Sequence, residues 1–299
     1  MNEKKTLITH NGSFHTDDIF ACAALSLMLE SENTDFEIVR TRDEEMIVKA
    51  DYVFDVGGIY DAEQNRFDHH QPGGAGKRSN GIEYSSLGLV WNKFGEKLAG
   101  SVRAREVIEK RLCAPIDAWD NGFDLVINKN EIKPYYIQNI FFSMYPTWKE
   151  ESLNIDKMFF KCVEMAKVIL AREIIQVQDM LEAERAVISA YNNAKDKRII
   201  ILDKNYPFEY ILFNFPEPLF GVYPRKTGDN WGLKTIKADD PNTFKNRKDL
   251  PASWAGLQGQ ELQKITGVPD SIFCHRALFV AAAQSKAGAI KLAQIALES

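Results

Sequence analysis

Residues 67–71 read Phe-Asp-His-His-Gln, and the chain spends two of its five histidines on that one run. His10 and His15 bracket the end of the first apolar run and are followed at once by Asp17 and Asp18. Asp55 ends another apolar run, Tyr-Val-Phe-Asp-Val-Gly-Gly. Imidazole nitrogens mixed with carboxylate oxygens suit a divalent transition metal, whereas an all-oxygen set suits magnesium or calcium. The pattern also constrains the fold, because an α/β sheet opens its sites at the carboxyl ends of its strands. Taken singly, each residue has a plainer explanation: a histidine held by a backbone carbonyl, an aspartate that forms a turn or caps a helix. Four histidines close to aspartates, all before residue 71, favour the joint reading: a two-metal hydrolase on an α/β sheet.

The rest of the chain fits such a sheet. Thr6–Thr9, Phe36–Arg40 and Asp51–Val56 read as strands. Between the first two, Ile19, Phe20, Ala23, Ala24, Leu27 and Met28 recur at helical spacing behind a cap at Thr16 or Asp17. Strands alternating with helices predict a mainly parallel sheet. Helices are expected over about Ser85 to Leu98 and over Val102–Cys113. From Ile155 to Tyr191 apolar residues keep a three-to-four-residue spacing without proline or glycine, which predicts one long helix, with room for a single break. Beyond it, Arg198–Leu202, Tyr210–Phe215, Leu219–Tyr223 and Leu233–Ile236 resemble strands, and Gly259–Thr266 and Ser285–Leu297 resemble helices. The expected organisation is a catalytic domain over 1–154, a connecting helix over 155–194 and a smaller α+β domain over 195–299.

Composition narrows the function classes. The 299 residues suffice for two cores, and no apolar run is long enough to span a membrane. Cys22, Cys113, Cys162 and Cys274 form no CxxC pair and read as reduced thiols. With a charged start that lacks a signal-peptide core, they predict a cytoplasmic protein. The net charge of −5 argues against coating nucleic acid by bulk electrostatics, though not against a local basic groove.

The order and spacing of His10, His15-x-Asp17, Asp55, Asp68-His69-His70 and Asp117 or Asp120 resembles the DHH phosphoesterase superfamily, which includes RecJ-type exonucleases and manganese pyrophosphatases. The resemblance is closer to one branch, the melanocyte-proliferating-gene family of metal-dependent hydrolases. It is carried by residues 9–18, by Phe67–Gln71, by Ser85–Val90, by Leu250-Pro251-Ala252-Ser253-Trp254-Ala255-Gly256-Leu257 and by Ile272–His275, so it spans nearly the whole chain.

The resemblance implies two divalent ions, manganese before magnesium. It implies that His10 and His15 hold one ion, Asp17 the other, and that Asp55 bridges both. His69 and Asp120 complete the second set. Asp68 binds or orients a neighbouring ligand, and His70 contacts the phosphate or the leaving group. Asp117 lies one helical turn before Asp120, so both can face the site. Asp120 is preferred because Asn121-Gly122 ends the helix there. The implied activity is 3′–5′ exonucleolytic cleavage of RNA or short oligonucleotides. Hydrolysis of small phosphoesters or pyrophosphate, and non-catalytic nucleotide binding, are the alternatives.

Candidate substrate contacts are more dispersed. Ser85-Ser86-x-Gly88 opens a helix, whose free N–H groups suit phosphate, although a plain serine cap fits equally well. Gly73–Arg78 lacks the spacing and the Ser or Thr of a P-loop, but Lys77 and Arg78 can contact an anionic substrate. Arg225 to Lys248 carries seven basic and three acidic residues, with Trp231 and Phe244 interleaved, a composition that suits single-stranded nucleic acid. By resemblance, His275 and Arg276 face a cleft between the domains, where Arg225 and Lys226 also grip substrate. Relatives carry a Gly-Gly pair shortly after the position of His275. Here the stretch is Phe279-Val280-Ala281-Ala282-Ala283, and a Cβ resists close backbone approach.

Overall fold

The computed structural model describes residues 4–150, 152–238 and 243–299. They fall into two compact α/β units that divide between Gln178 and Asp179. That boundary lies inside the long helix, not at either of its ends.

In the first unit the chain runs β1 (Lys5–Thr9), α1 (Thr16–Ser31), β2 (Phe36–Arg40), α2 (Glu44–Lys49), β3 (Tyr52–Phe54), β4 (Tyr60–Asp61) and β5 (Arg66–Phe67). Then come α3 (Ser86–Ala99), α4 (Val102–Ile108), α5 (Ala114–Asp120), α6 (Ile137–Phe142) and α7 (Ile155–Asn193). The strands order as β2-β1-β3-β5-β4. All neighbours are parallel except β4, which returns antiparallel to β5. Chain order therefore reverses at β1. The crevice outside the carboxyl ends of β1 and β3 is where such a sheet accepts ligands.

Helix α1 is buried almost all round, from Thr16 through Leu29, and packs most extensively on α3. A helix without a wet face belongs to the core. Its N-cap is His15, not Thr16 or Asp17: the backbone N–H of His15 donates to Asp18 Oδ1 at 3.0 Å. The segment expected as one helix over Val102–Cys113 is α4 followed by a π-helical turn, Glu109–Cys113, which feeds directly into α5. Pro115 sits in the first turn of α5, directly after the π-helical turn. Helix α7 is unbroken over 39 residues.

In the second unit, β6 (Ile199–Ile201), α8 (Phe208–Leu212), β7 (Phe220–Pro224), β8 (Trp231–Thr235), α9 (Gly259–Thr266), β9 (Ser271–Cys274), β10 (Val280–Ala283) and α10 (Lys286–Glu298) follow. Its sheet orders as β6-β7-β8-β10-β9, with only β6 and β7 parallel. The strand expected over Tyr210–Phe215 is instead covered in part by α8. Phe208, Ile211 and Leu212 turn inward at helical spacing onto Val187, Ile200 and Leu202, so burial of that face decides against a strand. All four cysteines are free and buried. Among the described residues no helix is long and apolar enough to cross a membrane.

Arg40, at the end of β2, fixes the loop that follows β1. Its side chain is 2% exposed, donates to Gly12 O at 2.8 Å and to Asp156 Oδ1 at 2.5 Å, and lies over the Phe159 ring. Gly12 takes a φ of +90°, which a glycine adopts without strain. Replacing the guanidinium by an apolar chain, Arg40→Met, keeps the packing on Phe159 but removes both hydrogen bonds, one of them to a carboxylate. It is expected to destabilise the protein by about 1–3 kcal/mol in urea unfolding; an unchanged midpoint would show that this loop holds without Arg40.

Candidate metal centre

Each strand of the switch point delivers one part of the site. His10 directly follows β1, and His15 and Asp17 begin α1. Asp55 follows β3, and Asp68-His69-His70 follow β5. Asp55 has a φ of +58°, a left-handed conformation uncommon outside glycine but tolerated by aspartate and asparagine. The turn aims its carboxylate into the crevice, where it is 2% exposed.

Around Asp55 the donors converge. His10 Nε2 lies 3.1 Å from Asp55 Oδ2, and His69 Nε2 lies 3.3 Å from Asp55 Oδ1. His69 Nε2 is also 3.4 Å from Asp120 Oδ2 and 3.8 Å from Asp17 Oδ2. Three sets of ligand atoms, each within 4.8 Å of one another, overlap: His10, His15 and Asp55; Asp55, His69 and His70; His15, Asp17 and Asp120. Both Asp55 oxygens, Asp17 Oδ1, Asp18 Oδ2 and His69 Nε2 are buried without a hydrogen bond. Five orphaned polar atoms at one point are costly unless a cation serves them. The donor set fits divalent metal, with imidazole favouring a transition ion.

The supporting groups are as informative as the donors. Asp68 accepts from the backbone N–H of Gly58, His69 and His70 and from His70 Nδ1 at 2.8 Å. Three of these bonds fall on Oδ1 and one on Oδ2, and through Oδ1 Asp68 orients His70. The His70 ring is 61% exposed. Ser86 donates from its hydroxyl and its backbone N–H to Asp17 Oδ2, at 2.8 and 3.3 Å. Ser85 Oγ and Gly88 N donate to Asp117 Oδ1, and Arg78 holds Asp117 Oδ2 at 2.6 Å while also pairing with Glu109. The start of α3 thus receives two carboxylates of its own chain, the arrangement that favours anions at helix N-termini.

Several sequence expectations change accordingly. Ser85 and Ser86 are fully buried and spent on Asp117 and Asp17, so neither offers a free hydroxyl to substrate. Arg78 is locked in its ion pairs, with its side chain 9% exposed. Lys77 is exposed. Asp120, not Asp117, reaches His69.

In the second unit, Arg225 and Lys226 lie on the β7–β8 turn, while His275 and Arg276 lie on the β9–β10 turn at the opposite end of the sheet. Arg225 folds back over Phe273, 5.2 Å from its centroid. Residues 239–242 of the basic stretch lie outside the described residues. Ala281, Ala282 and Ala283 are buried strand residues paired on both sides; the left-handed residue of this hairpin is Leu278.

The sequence reading names Asp18 without giving it a role and is silent on Arg42, Trp119 and Phe142. Asp18 is fully buried, with Oδ2 3.2 Å from His10 Nε2. Its place in His-Thr-Asp-Asp was the available signal. Arg42 lines a cavity of about 390 Å³ with His10, His15, Asp55 and His70. A second cavity of about 450 Å³ is lined by His15, Asp55, His69, His70, Trp119, Asp120, Asn121 and Phe142.

An α/β unit that gathers imidazoles and carboxylates at its switch point is, as a class, a candidate di-metal centre. The chain belongs to the family described as MYG1_exonuc, an uncharacterised protein family (UPF0160), whose model matches residues 6–297. It is 28% identical to the MYG1 exonuclease of Homo sapiens, over 97% of this chain and 85% of the relative. To the MYG1 protein of Chlamydia muridarum it is 30% identical, over 96% of this chain and 94% of the relative. A solved exopolyphosphatase-related protein from Bacteroides fragilis aligns with 99% of this chain and 92% of its own, at 11% identity and a TM-score of 0.24.

Without a cation, protons balance the centre. Burial works against protonated His10, yet Asp18 and Asp55 carry it up to about 10; for His69, burial is likewise outweighed by Asp55 and Asp17, giving about 9. Burial and the charges of Asp17 and Asp55 push Asp120 up to about 9. Groups titrating above 7 hold their protons at pH 7 and must release them to bind metal. Manganese binding is therefore expected to release protons and to tighten as pH rises from 7 toward 9. Calorimetry in two buffers of different ionisation enthalpy measures this; a buffer-independent heat would contradict it.

Proposed function

We propose that the chain is a metal-dependent phosphodiesterase, and within that class a 3′–5′ exonuclease acting on RNA or short oligonucleotides. The observation that carries the reading is the overlap of the three donor sets, two of which share buried Asp55 and two of which share His15. The exonuclease name of the human relative supports the substrate class. Direction and the choice of RNA rest on the sequence resemblance alone.

His10, His15 and Asp55 would hold one ion, and Asp17, Asp55, His69 and Asp120 the other. Two such ions supply an activated water and neutralise charge during in-line attack on phosphorus. The protein's own part is positional. Ser86 keeps Asp17 turned inward, and the backbone N–H groups around Asp68 keep that carboxylate aimed at His70. The Asp68 carboxylate raises the His70 pKa, outweighing burial. With Nδ1 on Asp68, the exposed edge of the ring can hand a proton to the leaving oxygen. Arg42, on the rim of the first cavity, is the cation placed to meet a non-bridging oxygen. Cytoplasmic residence is part of this reading and rests on the free, buried cysteines.

Incubating manganese-loaded protein with a labelled oligoribonucleotide, a dinucleotide and pyrophosphate tests the reading. Stepwise release of mononucleotides from one end is expected, with manganese effective and calcium not. Turnover of pyrophosphate alone would replace it with the small-phosphoester reading. Asp55→Asn is expected to lower turnover at least about a hundredfold and weaken both ions. The thermal transition should stay in place, because asparagine also tolerates the left-handed turn. Ordinary activity in this variant would reduce Asp55 to a turn former.

A further inference from the structure

Trp119 immediately precedes Asp120 and lines the cavity that also holds His69 and His70, yet it is 39% exposed. Trp148 is more open still, at 85%, so exposure alone does not mark Trp119; its place in the wall beside the polar donors does. It is also held in place. Trp119 and Phe142 lie 5.2 Å apart, Phe142 and Tyr145 5.6 Å, and Tyr145 meets Phe14 edge-on at 4.6 Å. The Tyr145 hydroxyl donates to the carbonyl of Phe14, the residue before His15. An aromatic row thus runs from the core at fully buried Phe14 to the open ring at Trp119, registered against the metal donors.

Charge separates the two cavities. Among the described residues, the one bearing Trp119 and Phe142 has no lysine or arginine in its wall, whereas the other has Arg42. The two share His15, Asp55 and His70. A polyphosphate would want cations on both sides and has no apolar surface to bury. A nucleotide ester has one flat apolar face and one anionic continuation, which matches an aromatic wall on one side and an arginine on the other.

We propose that Trp119, backed by Phe142, is a nucleobase-stacking subsite beside the metal centre, so that the substrate is a nucleoside phosphodiester. This rests on the phosphodiesterase reading above, which it narrows. The base stacks on the indole and the next phosphate lies toward Arg42, with the scissile phosphorus between them at His70. Stacking is indifferent to which base is offered, so discrimination among bases is expected to be weak.

The test compares a dinucleotide with its abasic analogue, using manganese-loaded protein and the variants Trp119→Leu and Trp119→Phe. The preference in kcat/KM for the base-bearing substrate is expected to fall about tenfold in Trp119→Leu, mainly through KM, and to recover in Trp119→Phe. An equal effect of Trp119→Leu on both substrates would overturn the subsite. Calorimetric binding of adenosine monophosphate against ribose 5-phosphate gives a readout independent of hydrolysis. The nucleotide should bind about tenfold tighter to the wild-type protein and lose that margin in Trp119→Leu; equal affinities in the wild type would overturn the proposal. If no ester is turned over, the phosphodiesterase reading fails while the binding comparison still decides the subsite.

Discussion

Burying several carboxylates at one point is the constraint on which the first unit turns. Asp17, Asp18 and Asp55 are each at most 2% exposed, and Asp120 stands close to them. Ionised carboxylates in so small a volume repel one another and lose their water. The structure answers with imidazoles between them, with N–H groups behind them and with retained protons. His10 sits between Asp18 and Asp55, and His69 between Asp55, Asp17 and Asp120. The Asp55 carboxyl is held well below the usual carboxylate range: burial opposes this, but His10 and His69 prevail. Opposite directions within one cluster show how asymmetrically the charge is shared.

Behind this layer, α3 acts as an internal anion receptor. Its first turn takes Asp17 through Ser86 and Asp117 through Ser85 and Gly88. A Cβ on Gly88 would lie 1.9 Å from Asp117 Oδ2 and 2.8 Å from Arg78 Nη2, so the absence of a side chain there makes room for the Asp117–Arg78 pair. Asp117 is thus one step removed from the metal donors. It ties α3 to α5, and α5 carries Asp120. Groups that orient ligands in this way commonly matter nearly as much as the ligands.

The donors were legible in the sequence because their chemistry is rare and their positions local. His10, Asp55 and Asp68–His70 each follow a strand, and a carboxylate or imidazole at the end of an apolar run is visible without tertiary information. Partners far apart in the chain were not legible. Arg78 meets Asp117 across 39 residues and Ser86 meets Asp17 across 69, and nothing local distinguishes a serine that orients a carboxylate from one that caps a helix or binds phosphate. The two-residue strands β4 and β5 fall below any periodicity, and α8 was misread because Tyr-Ile-Leu-Phe suits strand and helix alike until Phe208 and Leu212 find their neighbours. Arg42 and Trp119 carry no motif. Their meaning lies only in which cavity they line.

The protons kept by His10, His69 and Asp120 bear on how far the fold depends on metal. A small metal-bound domain unfolds on chelation because its apo form has neither a core nor a charge balance. Here the centre is roofed by residues that pack without reference to it: Phe14, Phe20, Phe54 and Phe67 are fully buried, and α1 lies inside the core. Protons balance the buried carboxylates here, so an ion binding at the centre would exchange one set of positive charges for another. An ion bound at this centre would then serve chemistry and not folding.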